Sequence, residues 1–240
     1  MNGDPVAPGA GPSAGRPVVA VLDYGIGNLR SAQKGLQRAA GPGVDVRLVT
    51  DPDGVDGAGG VVLPGVGAFG RCMEALRASG LDRVALAAIE SGTPFLGVCV
   101  GMQMLFEGSD ESPGVAGLGV LSGRVRLLSD GVKRPQMQWN TLHLVVPDDP
   151  LLAGLVEGDW VYFVHSYAAD ADPAVVLATT DYGGPVTAVV GRPGLWATQF
   201  HPEKSGRIGL RLLANFAVLA GGRAGATVGR SGPAPVGRDG

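Results

Sequence analysis

The first half of the chain alternates short apolar runs with longer segments whose apolar residues recur every three or four positions. The apolar runs end in turn residues, as strands buried on both faces do; they are PVVAVLDYG, VDVRLVT, GVVLPG and PFLGVCV. The helical segments are NLRSAQKGLQRAA, AFGRCMEALRASG and RVALAAIESG. Strands that alternate with helices predict a mostly parallel sheet flanked by helices.

The pattern changes after about Leu118, where strand-like segments follow one another without a helix between them. These segments are GLGVLSGRVRLL, TLHLVVP, GDWVYFVHSY, AVVLATT and PVTAVVGRPGLWATQF. Successive strands joined by turns predict antiparallel ribbons and hairpins. An amphipathic segment, SGRIGLRLLANFAVLA, predicts a closing helix. The predicted fold class is α/β, with a central mostly parallel sheet and antiparallel strands in the second half.

Both ends of the chain are rich in Gly and Pro and poor in apolar residues. Residues 1–15 and 221–240 lack the apolar content needed to form a core. We therefore predict two disordered tails around one folded domain over residues 16–220. No internal repeat or low-complexity linker divides that domain.

The charge and the apolar runs exclude several classes of partner. The chain carries a net charge of −3 with scattered signs, so it lacks the basic stripe with which proteins bind nucleic acid. No apolar run approaches the roughly 20 residues of a membrane span, and no signal-like start is present. We expect a cytoplasmic protein that binds neither nucleic acid nor membrane and keeps Cys72 and Cys99 reduced.

Three strand-end turns are rich in glycine, and ligands of open α/β sheets gather at such turns. They are DYGIGN, LPGVGAF and GVCVGMQ. The first lacks the third glycine of a dinucleotide fingerprint, since Arg30 stands in its place. We interpret it as a tight turn before a helix and expect no nicotinamide or flavin cofactor.

Cys99 follows a buried strand and stands between Gly97 and Gly101. Gly-x-Cys-x-Gly between a strand and a helix has the layout of a nucleophile elbow. The glycines remove side chains that would collide with the turn and the neighbouring strand, and a helix N-terminus favours the thiolate. Alternatively the cysteine packs as a small apolar residue, and this segment alone leaves both readings open. Cys72, in AFGRCMEAL, is interpreted as a packing residue.

A cysteine nucleophile needs a base, and the chain offers three histidines. His201 follows a strand, and Pro202 restricts it to extended conformations, so Glu203 can lie behind the imidazole and hold one tautomer. His143 lies in an alternating strand and is predicted to face solvent. His165, at a strand end, is either structural or part of a site.

The oxyanion that forms when a carbonyl is attacked needs hydrogen-bond donors. The amide of Val100, which directly follows Cys99, is one candidate. The second candidate is the LPGVGAF loop, where Gly65 and Gly67 give the backbone around Val66 unusual freedom. The alternative for this loop is a plain turn between strand and helix.

Four motifs in this order, LPGVGAF, FLGVCVGMQ, YFVHSY and QFHPEKSG, carry a resemblance to a known family. The chain resembles the triad (class I) glutamine amidotransferases, and within them the glutaminase subunits of imidazole glycerol phosphate synthases. The resemblance covers nearly all of the folded span, from DYGIGNLRS to the last helix. It implies that Cys99 is the nucleophile, His201 the general acid and base, and Glu203 its orienting carboxylate.

The resemblance also implies how glutamine is held. Gln103 and Glu107, on the helix after the elbow, and the His165, Ser166 and Tyr167 segment would bind the substrate. No metal and no cofactor are implied.

The resemblance further assigns Gly65 and Val66 to an oxyanion strand, which in this family can need rearrangement before it works.

The family delivers ammonia through a tunnel to a separate (β/α)₈ cyclase subunit, which makes imidazole glycerol phosphate and an aminoimidazole carboxamide ribonucleotide for histidine biosynthesis. The resemblance therefore implies a heterodimer with the cyclase docked over Asn28, Trp139 and Lys204. One motif departs from the family pattern: PQMQWN stands where Pro-His-Met-Gly-Trp-Asn is usual, so Gln136 and Gln138 replace a histidine and a glycine. This departure concerns the interface near Trp139.

Three alternatives remain open. A glutaminase of another synthase, such as the pyridoxal phosphate or anthranilate system, would have the same triad and a different partner. A scaffolding subunit would keep the fold without turnover. A cysteine peptidase on a similar sheet would need an open groove for a polypeptide, where we predict a pocket for one amino acid.

Overall fold

The computed structural model describes residues 15–27 and 29–222 of the chain. Residues 1–14 and 223–240, which make up most of the two predicted tails, lie outside the described residues, and so does the predicted interface residue Asn28. The tails and the role of Asn28 therefore stay predictions.

The first half of the chain folds into four strands and four helices that alternate as predicted. The strands follow the apolar runs, and the helix N-termini follow the glycine-rich turns. In chain order the elements are β1 (Val18–Leu22), α1 (Leu29–Ala40), β2 (Asp45–Val49), β3 (Gly60–Gly65), α2 (Phe69–Ala78), α3 (Leu81–Glu90), β4 (Phe95–Cys99) and the single turn α4 (Val100–Gln103).

The second half is built mainly from strands, again as predicted, and ends in a helix. Its elements are β5 (Gly123–Leu127), β6 (Gln136–Thr141), β7 (His143–Leu144), β8 (Trp160–His165), β9 (Tyr167–Ala171), β10 (Val176–Asp181), β11 (Pro185–Arg192), β12 (Leu195–Thr198) and α5 (Gly206–Gly221). Helix α5 packs against α1 and against β1 and β3.

One mixed sheet organises the described chain, with strand order β2-β1-β3-β4-β12-β11-β10-β7. The pairs among β2, β1, β3, β4 and β12 are parallel, and those from β12 to β7 are antiparallel. β3 and β4 lie inside the parallel part and are buried at every position, which is why their sequences are continuously apolar. The predicted α/β class with a mostly parallel sheet and later antiparallel strands is confirmed.

β12 differs from the prediction for the second half. It forms a hairpin with β11, but its other edge pairs in parallel with β4, Leu195 opposite Phe95 and Thr198 opposite Val98. The apolar pattern of a buried strand does not contain its direction, so the local sequence predicted only an antiparallel ribbon. The parallel insertion brings the segment after Thr198 to the carboxyl end of β4.

Two small ribbons stand apart from the main sheet, β5 with β9 and β6 with β8. β6 coincides with QMQWNT, a mostly polar stretch for which no strand was predicted. It is a strand because β8 pairs with it along its whole length, from Gln136 opposite His165 to Thr141 opposite Trp160. Only the partner strand reveals it.

No helix among residues 15–27 and 29–222 is long and apolar enough to cross a lipid bilayer. The predicted cellular location stays a prediction.

The turn between β4 and α4 brings the helix backbone directly against β3. A Cβ atom at position 101 would overlap the carbonyl oxygen of Leu63, and one at position 97 would lie 3.0 Å from the carbonyl oxygen of Gly101. Both contacts are with backbone, which cannot swing aside as a long side chain could. The predicted steric role of Gly97 and Gly101 is confirmed.

We expect Gly101→Ala to lower the free energy of unfolding by about 1–3 kcal/mol, because α4 must move away from β3 to admit the methyl group. Urea denaturation measures the change. Gly43→Ala is the matched control: a Cβ there meets nothing within 4 Å. Equal stabilities of the two variants would contradict the packing argument.

Candidate active site

Cys99 ends β4 in a conformation that few residues other than glycine adopt. Its φ of +55° and ψ of −110° make it the one non-glycine residue with positive φ among those the structure describes. Such backbone strain costs about 1–3 kcal/mol and is concentrated at functional sites. A cysteine that only filled space would not need this conformation. The backbone therefore favours the elbow over the packing interpretation.

His201 and Glu203 form a buried pair beside this turn. His201 Nδ1 lies 2.9 Å from Glu203 Oε1, and the two side chains are only 4% and 5% exposed. His201 is extended, as Pro202 requires, and a 3₁₀ turn over Pro202–Lys204 then folds the carboxylate back under the ring. The Ser205 hydroxyl donates to the His201 carbonyl oxygen at 2.7 Å and fixes this turn.

His201 holds a proton more firmly than an ordinary histidine. Burial by itself would lower the pKa of His201, but hydrogen bonds to Cys99 and Glu203 and the charges of both groups raise it to about 9. The imidazole is therefore cationic at neutral pH beside the sulfur of Cys99. In this state it can donate a proton to a leaving group.

Gly35, in the middle of α1, allows Glu203 to be buried. A Cβ atom at position 35 would lie 2.9 Å from the Cβ of Glu203 and 3.4 Å from its Cα. Glycine inside a helix costs about 1 kcal/mol relative to alanine, so the close approach gives a reason for its presence. The sequence analysis missed this residue, whose only signal was a glycine within a helical pattern.

Cys99 and His201 line a cavity of about 350 Å³. This size is near the lower end of small-molecule sites and too small for a polypeptide groove. Most of its lining comes from the ends of β3, β4, β8 and β12, and Glu111 and Pro135 come from the loops before β5 and β6. The lining residues are Val66, Gly67, Cys99, Val100, Gln103, Glu111, Pro135, Val164, His165, Ser166, Tyr167, His201 and Lys204.

Two buried glutamines link the cavity wall to the thiol. Gln103 Nε2 donates to the Tyr167 carbonyl oxygen at 2.9 Å and to Gln199 Oε1 at 3.1 Å. Gln199 Nε2 lies 3.9 Å from Cys99 Sγ. Gln199 is fully buried and was missed in the sequence, although it stands only two residues before His201. The two glutamines thus connect the Tyr167 backbone to the Cys99 sulfur.

Glu107 does not reach the cavity. The helix after Cys99 ends at Gln103, and the backbone of Glu107 bonds to Gly117 and Gly123 instead. Its side chain is exposed. The prediction that Glu107 lies on the helix after the elbow is wrong, because α4 ends at Gln103. The predicted role of Glu107 in holding the substrate stays a prediction.

Glu111 provides the carboxylate that lines the cavity. Its Oε2 accepts a hydrogen bond from the Phe69 amide at 2.8 Å. It was missed because the chain between α4 and β5 has no regular pattern that would place it.

His165, Ser166 and Tyr167 join β8 to β9 and all three line the cavity. Burial, with the charge of His201 adding to it, lowers the pKa of His165 to about 4, although the Tyr167 carbonyl oxygen 2.9 Å from Nδ1 opposes this. His165 is therefore neutral, and its buried Nε2 has no partner within the described residues. The ambiguous histidine thus belongs to the cavity wall.

The predicted oxyanion residues lie near Cys99 as well. Gly65 pairs with Cys99 across β3 and β4, and Val66 lines the cavity beside Gly67 and Val100. Their predicted role as donors stays a prediction.

The two other histidine and cysteine predictions agree with the structure. His143 lies on the surface, where its Nδ1 contacts Glu157 Oε1 at 2.6 Å. Cys72 is fully buried in α2.

The predicted interface residues Trp139 and Lys204 both lie on the surface of the protein. Lys204 is exposed and lines the opening, while Trp139 is 46% exposed and packs edge-on against Tyr162. Of the two unusual residues in PQMQWN, Gln138 is exposed, whereas Gln136 is fully buried opposite His165 and its amide has no partner among the described residues.

Comparisons with known proteins agree with one another. A family model, Glutamine amidotransferase class-I, matches residues 21–220. The chain is 52% identical over 202 residues to imidazole glycerol phosphate synthase subunit HisH of Synechococcus sp. (strain JA-3-3Ab), covering 82% of this chain and 92% of that protein. It is 48% identical over 208 residues to the subunit of the same name from Deinococcus radiodurans, covering 85% and 95%. A crystal structure of a glutamine amidotransferase shares the fold, with TM-score 0.67 and 24% identity over 85% of this chain and 98% of that one.

The raised pKa of His201 predicts how stability depends on pH. The unfolded histidine has a pKa of about 6.5, so the stabilisation of its folded cation is complete below that pH and is lost as pH rises to about 9. In Glu203→Gln the pKa of His201 falls, so less stability should be lost between these pH values than in the unchanged protein. Urea unfolding at both pH values measures this, and equal losses in the two proteins would contradict the assignment.

Proposed function

The chain belongs to the class-I glutamine amidotransferases, and we propose that Cys99, His201 and Glu203 are the triad with which it hydrolyses glutamine. The observation that carries this proposal is the buried His201–Glu203 pair beside a strained cysteine in a cavity sized for one amino acid. The reaction serves imidazole glycerol phosphate synthesis in histidine biosynthesis, as the names of its relatives indicate.

In the first half of the reaction, the Cys99 thiolate, paired with the cationic His201, attacks the side-chain amide carbon of glutamine. The carbonyl electron pair moves to oxygen, and the tetrahedral intermediate then collapses with cleavage of the C–N bond. His201 donates its proton to the leaving nitrogen, which departs as ammonia. Because His201 is already cationic at neutral pH, the proton is in place before the substrate binds.

In the second half, water hydrolyses the γ-glutamyl thioester. His201, now neutral, takes a proton from the water as its oxygen bonds to the acyl carbon, and the C–S bond breaks to release glutamate and the thiolate. Glu203 holds the Nδ1 side of the ring throughout, so Nε2 faces the reacting atoms. Glutamine and water become glutamate and ammonia.

We assign the glutamine-binding role to the residues that line the cavity around Cys99. The neutral His165 and the Ser166–Tyr167 backbone form one wall of the cavity. Gln103 stabilises that wall by its hydrogen bond to the Tyr167 carbonyl oxygen. Glu111 offers a carboxylate that suits the α-ammonium group of an amino acid. Glu107, exposed and outside the cavity, has no part in this proposal.

The oxyanion donors in this proposal are the backbone amides of Val66 and Val100. Both residues line the cavity on either side of Cys99. Backbone donors suit this task because they are held by the fold and need little reorganisation as charge develops on the oxygen.

The chain is a subunit of a larger synthase, which implies a companion cyclase subunit. We propose that this companion is a (β/α)₈ barrel that forms a heterodimer over the ribbon patch, defined as Met137, Trp139, Trp160 and Tyr162. Met137, Trp139 and Trp160 are 62%, 46% and 57% exposed. Alternation along β6 and β8 puts the patch on one face of the ribbon.

The ribbon patch adjoins the cavity. Met137 is paired with Val164, which lines the cavity, and Lys204 borders the same opening. A partner seated on the patch would cover the mouth, so ammonia released at Cys99 could pass to it without entering bulk water. Large exposed apolar residues rimmed by polar ones are typical of such interfaces.

A glutaminase for another synthase, such as the pyridoxal phosphate system, has no specific observation in its favour, since the related proteins are named as subunits of imidazole glycerol phosphate synthase. A peptidase does not suit a cavity of about 350 Å³.

Purified chain should hydrolyse glutamine slowly by itself and faster with the cyclase subunit and its ligand. We expect Cys99→Ser or His201→Asn to lower the rate of glutamine hydrolysis by about 10⁴-fold. The first variant replaces the nucleophile, and the second removes the proton donor. Glutamate release in a coupled assay measures this. His143→Asn, which changes an exposed histidine, is the matched control. Full activity in Cys99→Ser would refute the nucleophile, whereas a cyclase without effect would refute only the partner.

Trp139→Ala should weaken binding to the cyclase subunit by at least about 10-fold, because buried aromatic anchors dominate interface energies. Calorimetric titration of the two subunits gives the dissociation constant, and the thermal midpoint of the variant checks that it is folded. Val218→Lys alters the most exposed large apolar side chain in the described part of the chain, 74% exposed on α5, and should not change binding. An unchanged affinity in Trp139→Ala would remove the ribbon patch from the interface.

A further inference from the structure

The segment Pro64–Gly67 lies beside Cys99, the proposed nucleophile. β3 ends at Gly65, directly across from Cys99, and Val66 and Gly67 continue past the sheet along the cavity. Beyond Gly65 the segment has left the ladder of the sheet, so groups outside the sheet must fix the direction of its peptide planes.

Two side chains from other elements bond to carbonyl oxygens of this segment. The Tyr24 hydroxyl, just after β1, donates to the Pro64 carbonyl oxygen at 2.7 Å. The Cys72 thiol, in the first turn of α2, donates to the Val66 carbonyl oxygen at 3.3 Å. They form a pair of donors behind the segment, one on each of two carbonyl oxygens.

Both groups keep the proton that this arrangement needs. Burial raises the pKa of Tyr24 and the pKa of Cys72, and both side chains lie in the core, away from the cavity. At neutral pH each is therefore a neutral donor. Cys72 does not line the cavity and has no direct contact with the reacting atoms of the proposed mechanism.

Because the peptide group is planar, a hydrogen bond to a carbonyl oxygen also restricts the direction of the N–H group in the same plane. In a trans peptide the C=O and the N–H point in opposite directions. Bonds to the carbonyls of Pro64 and Val66 therefore fix the peptide planes on either side of the Gly65–Val66 peptide. The Val66 N–H can then change direction only through rotation about the two bonds that flank its own plane.

We propose that Cys72 and Tyr24 are positioning residues that hold the Pro64 and Val66 carbonyls and thereby set the direction of the Val66 amide toward the substrate at Cys99. The inference rests on the proposed glutaminase function and deepens it. It also changes the interpretation of Cys72, which the sequence analysis treated as a packing residue: an apolar side chain of similar size would fill the space but could not hold the carbonyl.

The test compares Cys72→Ala with Cys72→Ser in the full chain, alone and with saturating cyclase subunit. Cys72→Ala removes the donor, so kcat for glutamine should fall about 5- to 10-fold while KM stays within about twofold. Cys72→Ser keeps a donor at the same position and should restore kcat to within about twofold. Adding Tyr24→Phe to Cys72→Ala should deepen the loss toward the about 100-fold expected for a missing oxyanion donor.

Two readouts separate positioning from packing. Amide hydrogen exchange of residues 65–68 should be faster in Cys72→Ala than in Cys72→Ser, and the rate at which iodoacetamide alkylates Cys99 should not change. Leu76→Val is the matched control: this side chain is fully buried one turn further along α2, so the variant should lose stability without losing kcat.

An unchanged kcat in Cys72→Ala, or a Cys72→Ser variant as slow as Cys72→Ala with equal hydrogen exchange, would overturn the proposal. If the unchanged protein lacked glutaminase activity, the proposed function would fail instead, and the exchange comparison would still show whether the thiol holds the segment. Should Cys72→Ala not fold, Tyr24→Phe alone provides the same test from the other carbonyl, with the same split between kcat and KM.

Discussion

The parallel pairing of β4 with β3 on one side and β12 on the other is the constraint on which the site depends. Because the three strands run in the same direction, their carboxyl ends meet at one edge of the sheet. Cys99 ends β4, the Pro64–Gly67 segment ends β3, and the chain leaving β12 reaches His201. The proposed nucleophile, amide donors and base come from distant parts of the chain, and two strand registers align them.

That alignment requires backbone to approach backbone closely. α4 can begin beside β3 only because position 101 lacks a side chain, and Glu203 can lie against α1 only because position 35 lacks one. The strained φ of Cys99 is tolerated inside this packing, where buried strands surround it. The catalytic geometry is thus a consequence of tight packing between sheet and helices, and it tolerates little change in volume.

The pKa values of the two histidines near the cavity shift in opposite directions, although burial by itself lowers both. His165, whose main partner is a backbone carbonyl, loses its charge to desolvation, whereas His201 keeps its proton because Cys99 and Glu203 face it. The imidazole of His165 on the cavity wall is therefore neutral, and that of His201 beside Cys99 is cationic. The site thus holds one imidazole proton more on His201 than on His165. The same logic keeps Cys72 and Tyr24 protonated behind the Pro64–Gly67 segment.

The sequence by itself determined the α/β class and most strands and helices, because the period of apolar residues is a local property. It also identified Cys99, His201 and Glu203 as candidate site residues, because the glycine spacing around the cysteine and the His-Pro-Glu run are local too. Only the tertiary structure decided that β12 inserts in parallel beside β4, that the polar β6 is a strand, and that Glu111 rather than Glu107 faces the cavity. It also revealed the close approach of Gly35 to Glu203 and the contact of Gln199 with Cys99. The hydrogen bond from the Cys72 thiol to the Val66 carbonyl oxygen is a third such contact. The physical reason is the same in each case: these features are contacts between residues far apart in the chain, and no local pattern of hydrophobic and polar positions contains them.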